Sequence, residues 1–414
     1  MPASLTTMNS VLKEYWENAL AYQLNDKTLL LNRIDATNEN LYGKYALIGL
    51  HNNRNGGLSA RGEYQTLNAA GSQGFAQAKY NLAYLYGAGQ VSGPGLEETS
   101  GGTLGSVVGM LDVEMNRLMD DVRVDSARQL YGNGDSKITT CGTTTTSTTV
   151  VLAATTVGSN TFNEALQKGQ ITVGMLVDIG TVAAPTTIAA GVSVTAINLT
   201  TPSITVSGSA VSTTSADFVF RAGNAAANVS YEMSGLKQLA AQSSTVFGGI
   251  DPAGAGNSYW DNQRINQNGN LTLDAFTKAF NTVNGIAGGQ VSVIITSYGI
   301  QRSFYNLLQS QVRYQDPMTL NSGFQTLSYF GLPVIADKDA PYGSVFFLDE
   351  RWLRFYANRD WHWLEEDGRV LKWTPNQDAW QFVLARYLNL GASRRNTQLV
   401  MYGVQVGGAS DVGA

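Results

Sequence analysis

Alternating apolar and polar positions predict a long hairpin in the first quarter of the chain. Residues 45–50 (YALIGL) read as one strand, and residues 76–86 alternate with period two, placing on one face Ala78, Tyr80, Leu82, Tyr84 and Tyr86. The stretch between them is rich in Asn and Gly and has almost no aliphatic side chains, so it cannot bury a core of its own. We therefore predict a two-stranded arm with a polar tip, which needs a partner surface because an isolated ribbon is marginally stable in water.

Helical periodicity replaces this alternation over residues 103–131. Glycines precede and follow the segment, and its apolar residues recur every three or four positions: Leu104, Val107, Val108, Leu111, Met115, Leu118, Met119 and Val122. The predicted helix would be roughly 40 Å long, about twice the average, and we call it the spine helix. We interpret its acidic residues as a solvated face: Asp112, Asp120, Asp121 and Asp125.

Residues 137–222 change character abruptly. They hold six charged residues among Thr, Ser, Ala, Val and Gly: Lys137, Glu164, Lys168, Asp178, Asp217 and Arg221. Short β-rich pieces alternate with turns at intervals of about ten residues, which predicts a small antiparallel barrel or sandwich inserted between helical neighbours.

The two ends of the chain differ. Residues 1–40 are polar, with apolar anchors that indicate a short helix in an arm: Leu12, Tyr15, Trp16, Leu20 and Leu24. The second half mixes helical patterns at 271–285 and 298–312 with six strand-like pieces at 291–296, 332–337, 344–349, 353–357, 381–390 and 398–404. Such irregular alternation indicates an α+β fold.

Composition narrows the classes of function. Only 14% of the residues are charged, against about 25% in ordinary soluble domains. A weakly charged surface suits a protein that packs against its own copies, and it equally suits a secreted β-rich protein. The net charge of −5 without a basic block disfavours broad nucleic-acid binding. No signal peptide and no membrane-spanning run is recognisable, and the single cysteine, Cys141, excludes an intrachain disulfide.

Catalytic or metal chemistry has little support in the sequence. The only histidines are His51 and His362, and no arrangement with a nucleophile is evident. One Cys and two His exclude the usual zinc sites, no phosphate-binding glycine motif occurs, and residues 365–368 (EEDG) read as a charged turn. We predict no enzyme activity, no cofactor and no metal.

The order of these parts, together with two local runs, resembles the major capsid proteins of tailed double-stranded-DNA bacteriophages, which have the HK97-like fold. The runs are TVFGGIDPAGAGNSYWDNQRI at 245–265 and YFGLPVIADKDAPYGSVFFLDERWLRFY at 329–356. The resemblance implies an N-terminal arm at 1–44, an E-loop hairpin at 45–93, and a P-domain spine helix at 94–136. It further implies an inserted β-barrel-like domain at 137–222, and an A-domain with the rest of the P-domain at 223–414.

In that family the arm, the hairpin and the spine helix connect subunits to one another. The resemblance therefore implies that charged residues of the hairpin and spine helix are candidate intersubunit contacts: Arg54, Arg61, Glu63, Lys79, Asp112, Asp120 and Asp121. The alternative for each is an ordinary surface charge. Arg394 and Arg395 could likewise face DNA, a neighbour or solvent.

The resemblance implies a structural protein that assembles into pentamers and hexamers of an icosahedral head around double-stranded DNA, which it contacts weakly. Assembly would occur in the cytoplasm of a bacterial host, without a membrane. Some relatives begin with a scaffolding segment, whereas here the arm starts at Met1, so we expect a separate scaffold or none; portal and decoration proteins are further expected partners. The alternatives are an encapsulin-like compartment and, less favoured, a secreted β-rich adhesin.

Overall fold

The computed structural model describes residues 29–95, 110–157, 160–240, 245–286, 288–309, 318–319, 325–365 and 369–405. The apolar anchors of the predicted arm at 12–24, the start of the predicted spine helix at 103–109, and residues 366–368 of the predicted charged turn lie outside these ranges. None of the helices within them is long and apolar enough to span a membrane.

The helices and short 3₁₀ turns of the described residues lie between and within the β-rich segments. They are α1 (Leu29–Arg33), α2 (Met110–Leu130), α3 (Glu164–Gln167), α4 (Leu236–Leu239), α5 (Leu273–Gly285), α6 (Tyr298–Gln309), and the 3₁₀ turns Ser258–Trp260 and Glu350–Trp352. The described part of the spine helix is α2, which at 21 residues is about 32 Å long.

The hairpin is present, but the predicted strand over 76–86 is wrong as a single unit. Its sheet consists of β2 (Leu41–Tyr42), β3 (Tyr45–Asn53) and β4 (Gly74–Asn81). The chain then passes Leu82 and enters a different sheet as β5 (Ala83–Ser92). The alternation shifts phase at that point, so that Ala83 and Leu85 are buried while Tyr84 and Tyr86 are exposed. The sequence prediction failed here because Leu82 belongs to neither strand.

The sheet that receives β5, which we call the platform sheet, is built around one long strand. Strand β27 (Ala379–Ala392) pairs with β5 along one edge, and its other edge carries β24 (Leu353–Ala357), β25 (His362–Trp363) and β26 (Lys372–Trp373) in turn. Strand β1 (Ala36–Thr37) extends the far edge by pairing parallel with β24. Strand β5 is therefore the outer strand on one side of β27, and β1, β25 and β26 are the outer strands on the other side.

The segment 137–222 is rich in antiparallel strands, as predicted, and has its own apolar core, which includes Val150, Ile179, Val194, Ile204 and Val219. The strands follow the order β6 (Lys137–Thr140), β15 (Phe218–Arg221), β11 (Leu176–Gly180), β12 (Ala189–Asn198), β13 (Ser203–Val206) and β8 (Thr149–Val151).

No closed barrel is seen in the described part of this segment. Its two edge strands approach each other at one end, around the single bridge between Cys141 and Leu152, where Ala153 donates to Thr140 and Gly142 donates to Val151 (both 2.8 Å). Three two-stranded ribbons flank the sheet: β7 (Thr144–Ser147) with β14 (Val211–Thr213), β9 (Thr155–Val157) with β10 (Asn160–Phe162), and β16 (Ala225–Ala226) with β17 (Val229–Ser230).

The second half contains a mixed sheet covered by two helices, at the positions of the two predicted helices; residues 310–312 of the second lie outside the described ranges. Four of the six predicted strands belong to this sheet, and the other two, at 353–357 and 381–390, are confirmed as β24 and β27 of the platform sheet. The order of the mixed sheet is β18 (Gln263–Asn270), β28 (Leu399–Gln405), β23 (Val345–Leu348), β19 (Val293–Thr296), β22 (Leu332–Ala336), β21 (Gln325–Tyr329) and β20 (Met318–Thr319). Helices α5 and α6 pack Phe276 and Phe304 onto this sheet, with their rings stacked at 4.9 Å. The five domain limits given above remain predictions.

The spine helix lies against the face of the platform sheet that carries the odd-numbered residues of β5. Leu111, Met115 and Leu118 pack around Val91 and Phe382. Glycines on this face allow the close approach, because a Cβ at Gly87 would collide with Val122 and lie 3.2 Å from Cδ1 of Leu118. The helix therefore seats in a groove that glycine leaves in the strand.

Replacing Gly87 with alanine should destabilise the subunit. The added methyl group must push α2 away from β5, an overpacking that costs about 1–3 kcal/mol. Urea unfolding of isolated subunits would measure this change. The control is Gly49→Ala in β3, where a Cβ would meet nothing within 4 Å. Equal stability of the Gly87 variant and the wild type would contradict this packing.

Candidate functional site

The root of the hairpin is fixed by one buried tyrosine. The Tyr80 hydroxyl donates to the carbonyl of Ala392 (2.8 Å) and accepts from its N–H (3.2 Å), at the end of β27. Its ring stacks on Tyr356 at 6.0 Å and meets Phe247 edge-on at 5.2 Å. Burial raises the pKa of this phenol well above its usual range, although the hydrogen bond to Ala392 opposes the effect. The hairpin is therefore anchored to the platform sheet by a neutral side chain.

The run at 245–265 supports this root. The indole N–H of the buried Trp260 donates to the carbonyl of Phe247 (2.8 Å), which holds the loop against Tyr80. The adjacent Gly248 accepts the backbone N–H of Lys79 at 2.8 Å. This run was one of the two on which the resemblance was based. In the structure it supports the root of the hairpin, and we call it the buttress.

Arg395 contacts the buttress and does not face solvent, DNA or a neighbour. It is fully buried and donates to the carbonyls of Leu239 (2.8 Å), Thr245 (3.0 Å) and Gln238 (3.3 Å). Burial lowers its pKa to about 10. Its neighbour Arg394 is half-buried and lies over the Trp352 ring at 4.9 Å. Adjacent arginines thus have different environments, which the sequence did not distinguish.

The tip of the hairpin, residues 54–73, holds together by local polar contacts. Asn68 donates to the carbonyl of Gly57 (2.6 Å) and accepts from the Ser59 hydroxyl (2.6 Å) and from Arg61. The large apolar side chains of the tip instead point into solvent: Leu58 is 84% exposed, Tyr64 98% and Leu67 83%. The tip is therefore held together by polar contacts and exposes three large apolar side chains to solvent.

The candidate charged residues fall on two separate elements of the chain. Arg54, Arg61 and Glu63 are exposed on the tip, and Lys79 lies over the Tyr45 ring at 4.3 Å in the hairpin. On the spine helix, Asp112 and Asp121 are exposed, and Asp120 pairs with Arg123 at 3.9 Å. Within the described part of one chain, the hairpin residues and the helix residues therefore lie on different elements.

The interpretation of Asp125 as a solvated residue is wrong. Its carboxylate lies between Arg128 (3.1 Å) and Arg221 (3.0 Å) and also accepts from Gln129 (2.8 Å). Arg128 in turn donates to Glu232, so the cluster joins the spine helix to the end of the inserted segment. Burial alone would raise the pKa of Asp125, but the charges of Arg128 and Arg221 outweigh it and hold the pKa at about 2. The spacing of Asp125 and Arg128 permits their ion pair within the helix, but no sequence signal marks Arg221 and Glu232, which lie about 100 residues away along the chain.

A second buried contact, made by Lys168, also connects the inserted segment to the rest of the subunit. The ammonium of Lys168 donates to Glu164 (2.5 Å) and to the carbonyls of Ala340 (2.7 Å) and Asp339 (3.2 Å). It also lies 4.5 Å from the centre of the Tyr342 ring. Burial lowers the pKa of Lys168, while the carboxylate of Glu164 opposes this shift. The inserted segment is therefore held to the rest of the subunit by the Asp125 cluster and by the hydrogen bonds of Lys168 to the carbonyls of Asp339 and Ala340.

The two histidines considered for catalysis both contact neighbouring side chains. His51 bonds to Gln73 (2.6 Å) across the hairpin, and His362 packs against Tyr387 with ring centres 5.8 Å apart. Burial raises the pKa of Cys141 to about 12, which keeps it a thiol. The described ranges contain no group of three or more Cys, His, Asp or Glu placed to bind a metal ion.

Solved structures with a similar fold are shell proteins. One is the capsid asymmetric unit of cyanophage A-1(L), which is 14% identical, with a TM-score of 0.57 and coverage of 97% of this chain and 100% of that one. Another is the holo-SrpI encapsulin complex of Synechococcus elongatus, 8% identical with a TM-score of 0.52, covering 98% of this chain and 97% of that one. No protein-family model and no curated protein matches the sequence.

These similarities establish the fold class. The chain has the mixed α and β fold of phage-capsid and encapsulin shell subunits over nearly its whole length. That result agrees with the HK97-like fold predicted from the sequence, apart from the closed barrel of the insertion.

The Asp125 cluster makes a pH-dependent contribution to stability. Because the pKa of Asp125 is lowered in the folded chain to about 2, from an ordinary value near 3.8, its ionisation stabilises the fold above about pH 4. That stabilisation, about 2 kcal/mol, is lost as the pH falls from about 4 to 2. Asp125→Asn should remove this part of the pH dependence and cost about 3 kcal/mol at neutral pH.

Chemical denaturation of isolated subunits at several pH values checks both effects. Asp112→Asn is the matched control, since Asp112 is exposed on the same helix and its loss should change stability by less than about 0.5 kcal/mol. An Asp125 variant with wild-type stability at neutral pH would show that the cluster is not a stabilising joint.

Proposed function

We propose that this protein is the major capsid subunit of a tailed double-stranded-DNA phage, a structural protein that works by self-association. The observation that carries the proposal is the hairpin: an arm anchored at Tyr80 and displaying Leu58, Tyr64 and Leu67 far from any core. A chain gains nothing in isolation from holding three large apolar side chains in water. Burial against a neighbouring copy would remove that surface from water, at about 25 cal/mol for each Å².

The fold shared with the cyanophage capsid unit supports this proposal. We further propose that subunits form pentamers and hexamers of an icosahedral head, assembled in the cytoplasm of a bacterial host. The candidate contacts across subunits are Arg54, Arg61, Glu63 and Lys79 of the hairpin with Asp112, Asp120 and Asp121 of a neighbour's spine helix. Each exposed pair contributes about 1 kcal/mol or less, so the repetition of the contact around a closed shell supplies the stability. A separate scaffold, a portal and decoration proteins would be further partners.

Electron microscopy of the purified protein tests the proposal directly. We expect closed icosahedral particles tens of nanometres across, or pentamers and hexamers that convert into such particles as the concentration rises. A protein that stays monomeric under all conditions that assemble related shells would overturn the proposal.

An encapsulin-like compartment is the second candidate, because the shell of the SrpI encapsulin complex shares the fold. The two functions differ in what the shell encloses. Particles isolated from the native source should contain nuclease-resistant double-stranded DNA if the protein is a phage capsid subunit. A shell that encloses a protein and no DNA would favour the compartment.

The apolar groups of the tip provide a sharper test of the hairpin's role. The triple variant Leu58→Ser, Tyr64→Ser and Leu67→Ser should fold with unchanged stability, within about 0.5 kcal/mol, because these side chains contact water in the subunit. It should nevertheless assemble poorly, with at least a tenfold higher concentration needed for shell formation.

Light scattering against concentration measures that threshold. The matched control places three serines at exposed apolar positions of the inserted segment, Val173, Val182 and Leu199, and should assemble like the wild type. Wild-type assembly of the tip variant would remove the hairpin from the contacts that build the shell.

A further inference from the structure

The tip of the hairpin contains an asparagine followed by a glycine, Asn55–Gly56. In such a pair the peptide nitrogen of the glycine can attack the side-chain amide of the asparagine, because glycine has no side chain to hinder the approach. The chain holds four of these pairs, which begin at Asn55, Asn133, Asn268 and Asn284. Their surroundings in the folded subunit differ, and the surroundings decide how readily each pair reacts.

The side chain of Asn55 is folded over the backbone that follows it. Its Oδ1 accepts a hydrogen bond from the N–H of Gly57 at 2.8 Å, and this turn keeps the side-chain carbonyl on the side of the intervening nitrogen of Gly56. The same bond would stabilise the negative charge that develops on Oδ1 during attack. Among the described residues, the N–H of Gly56 has no hydrogen-bond acceptor. The attacking nitrogen is therefore uncommitted, and the carbonyl that it would attack is polarised.

A glycine on the other side of the tip leaves these atoms uncovered. A Cβ at Gly71 would lie 2.1 Å from Oδ1 of Asn55 and 3.1 Å from the nitrogen of Gly56, whereas a Cβ at Gly56 would meet nothing within 4 Å. Gly56 is exposed, so the water that the reaction consumes reaches the site.

Two of the other pairs are held in regular structure. Asn268–Gly269 lies in β18, where Gly269 pairs with Val404 of β28. Asn284–Gly285 ends helix α5, and Oδ1 of Asn284 accepts from the N–H of Val291 at 3.2 Å, outside the helix. These contacts restrict the rotation that would bring each side chain onto its own glycine nitrogen.

The fourth pair, Asn133–Gly134, lies outside regular structure but beside a carboxylate. The side-chain amide of Asn133 donates to Asp135 at 3.4 Å, and the charge of Asp135 opposes the anion that must form during attack. Among the four pairs, all within the described ranges, only Asn55 has its Oδ1 bonded to the N–H two residues further on.

We propose that Asn55 is a self-modification site which converts to aspartate or isoaspartate, and that the added charge weakens the intersubunit contacts of the tip. The Gly56 nitrogen gives its proton to water and bonds to Cγ of Asn55, and the side-chain nitrogen leaves as ammonia, which closes a cyclic imide. Water then adds to either imide carbonyl and opens the ring. One water is consumed in total, and the products are ammonium and a carboxylate.

The new carboxylate changes the charge balance of the tip. Residues 54–73 carry two positive charges, Arg54 and Arg61, and one negative charge, Glu63, so one added carboxylate makes the tip neutral. The partners proposed for these arginines on a neighbour's spine helix are acidic, and a neutral tip attracts them less. This second part of the inference rests on the proposed function, whereas the modification itself needs only a folded subunit.

Peptide mapping by mass spectrometry, on isolated folded subunits kept in heavy-oxygen water, tests the modification. Position 55 should show conversion of the amide to an acid that carries one heavy oxygen, at least tenfold faster than Asn268 and Asn284. In urea the four pairs should react at similar rates, because unfolding makes their surroundings alike. A folded subunit in which Asn55 reacts no faster than Asn268 and Asn284 would overturn the inference, whether or not the protein forms shells.

Gly56→Ala is the matched variant for the attacking nitrogen. It retains Asn55, and its methyl group fits because a Cβ at this position meets nothing within 4 Å. The methyl group hinders attack, so the conversion of Asn55 should slow at least tenfold while urea unfolding shows wild-type stability. Equal rates in this variant and the wild type would show that the Gly56 nitrogen is not the attacking group.

A pair of substitutions at Asn55 tests the effect of the charge on assembly. Asn55→Asp carries the charge from the start, and Asn55→Ser is a neutral control that can accept the same hydrogen bond. By light scattering, the aspartate variant should need at least a threefold higher concentration to form shells than the serine variant. Equal thresholds would overturn the proposed effect on assembly. If the wild type forms no shells at all, the proposed function fails, and the mapping experiment still decides the modification.

Discussion

The pairing of β5 with β27 is the interaction on which the other parts of the subunit depend. Ten consecutive residue pairs link a segment near position 88 to one near position 383, so the first and last quarters of the chain form one sheet. The spine helix packs on one face of that pair, through Val122 and Leu118 over Gly87. The hairpin leaves from its end and is bonded there by Tyr80 to Ala392. Loss of this ladder would separate the arm, the helix and the platform sheet from one another.

Periodicity predicted the elements of this subunit well wherever one element buries one face throughout. The central strands of the second half were predicted from unbroken apolar runs, because they are buried on both faces: Ile294 belongs to the core around Phe276, and Ile295 to the larger core on the other face. Helices α5 and α6 were predicted because each buries one face against the core around Phe276 and Phe347. The strand over 76–86 was predicted wrongly for the same physical reason. Its two halves bury opposite faces, and a period-two pattern read across Leu82 cannot show a change of sheet.

The charged residues were harder to predict than the apolar ones. Asp125 and Asp121 are both acidic residues of the spine helix, yet only Asp125 meets Arg128 and Arg221 in a buried cluster. Arg394 and Arg395 are adjacent, yet only Arg395 is enclosed by three backbone carbonyls. Arg128 is a neighbour of Asp125 on the same helix, but Arg221 and the three carbonyls around Arg395 come from distant parts of the chain. The environment of these charges therefore depends on tertiary contacts that sequence spacing does not encode. The intersubunit role of the hairpin residues rests on the resemblance together with the exposure of the tip.

The hairpin has the mechanics of a short lever on a fixed base. Its base is held in the core by Leu50, Ala78 and Tyr80, whereas Leu58 and Tyr64 of the tip are exposed. About three residues of β3 follow Leu50 at about 3.3 Å each, so the tip begins about 10 Å beyond the buried base. Bending of these exposed strand ends would shift Leu58 and Tyr64 while Tyr80 keeps its place. Neighbours set at slightly different angles around a curved surface could then receive the same tip without any change to the core of the subunit that presents it.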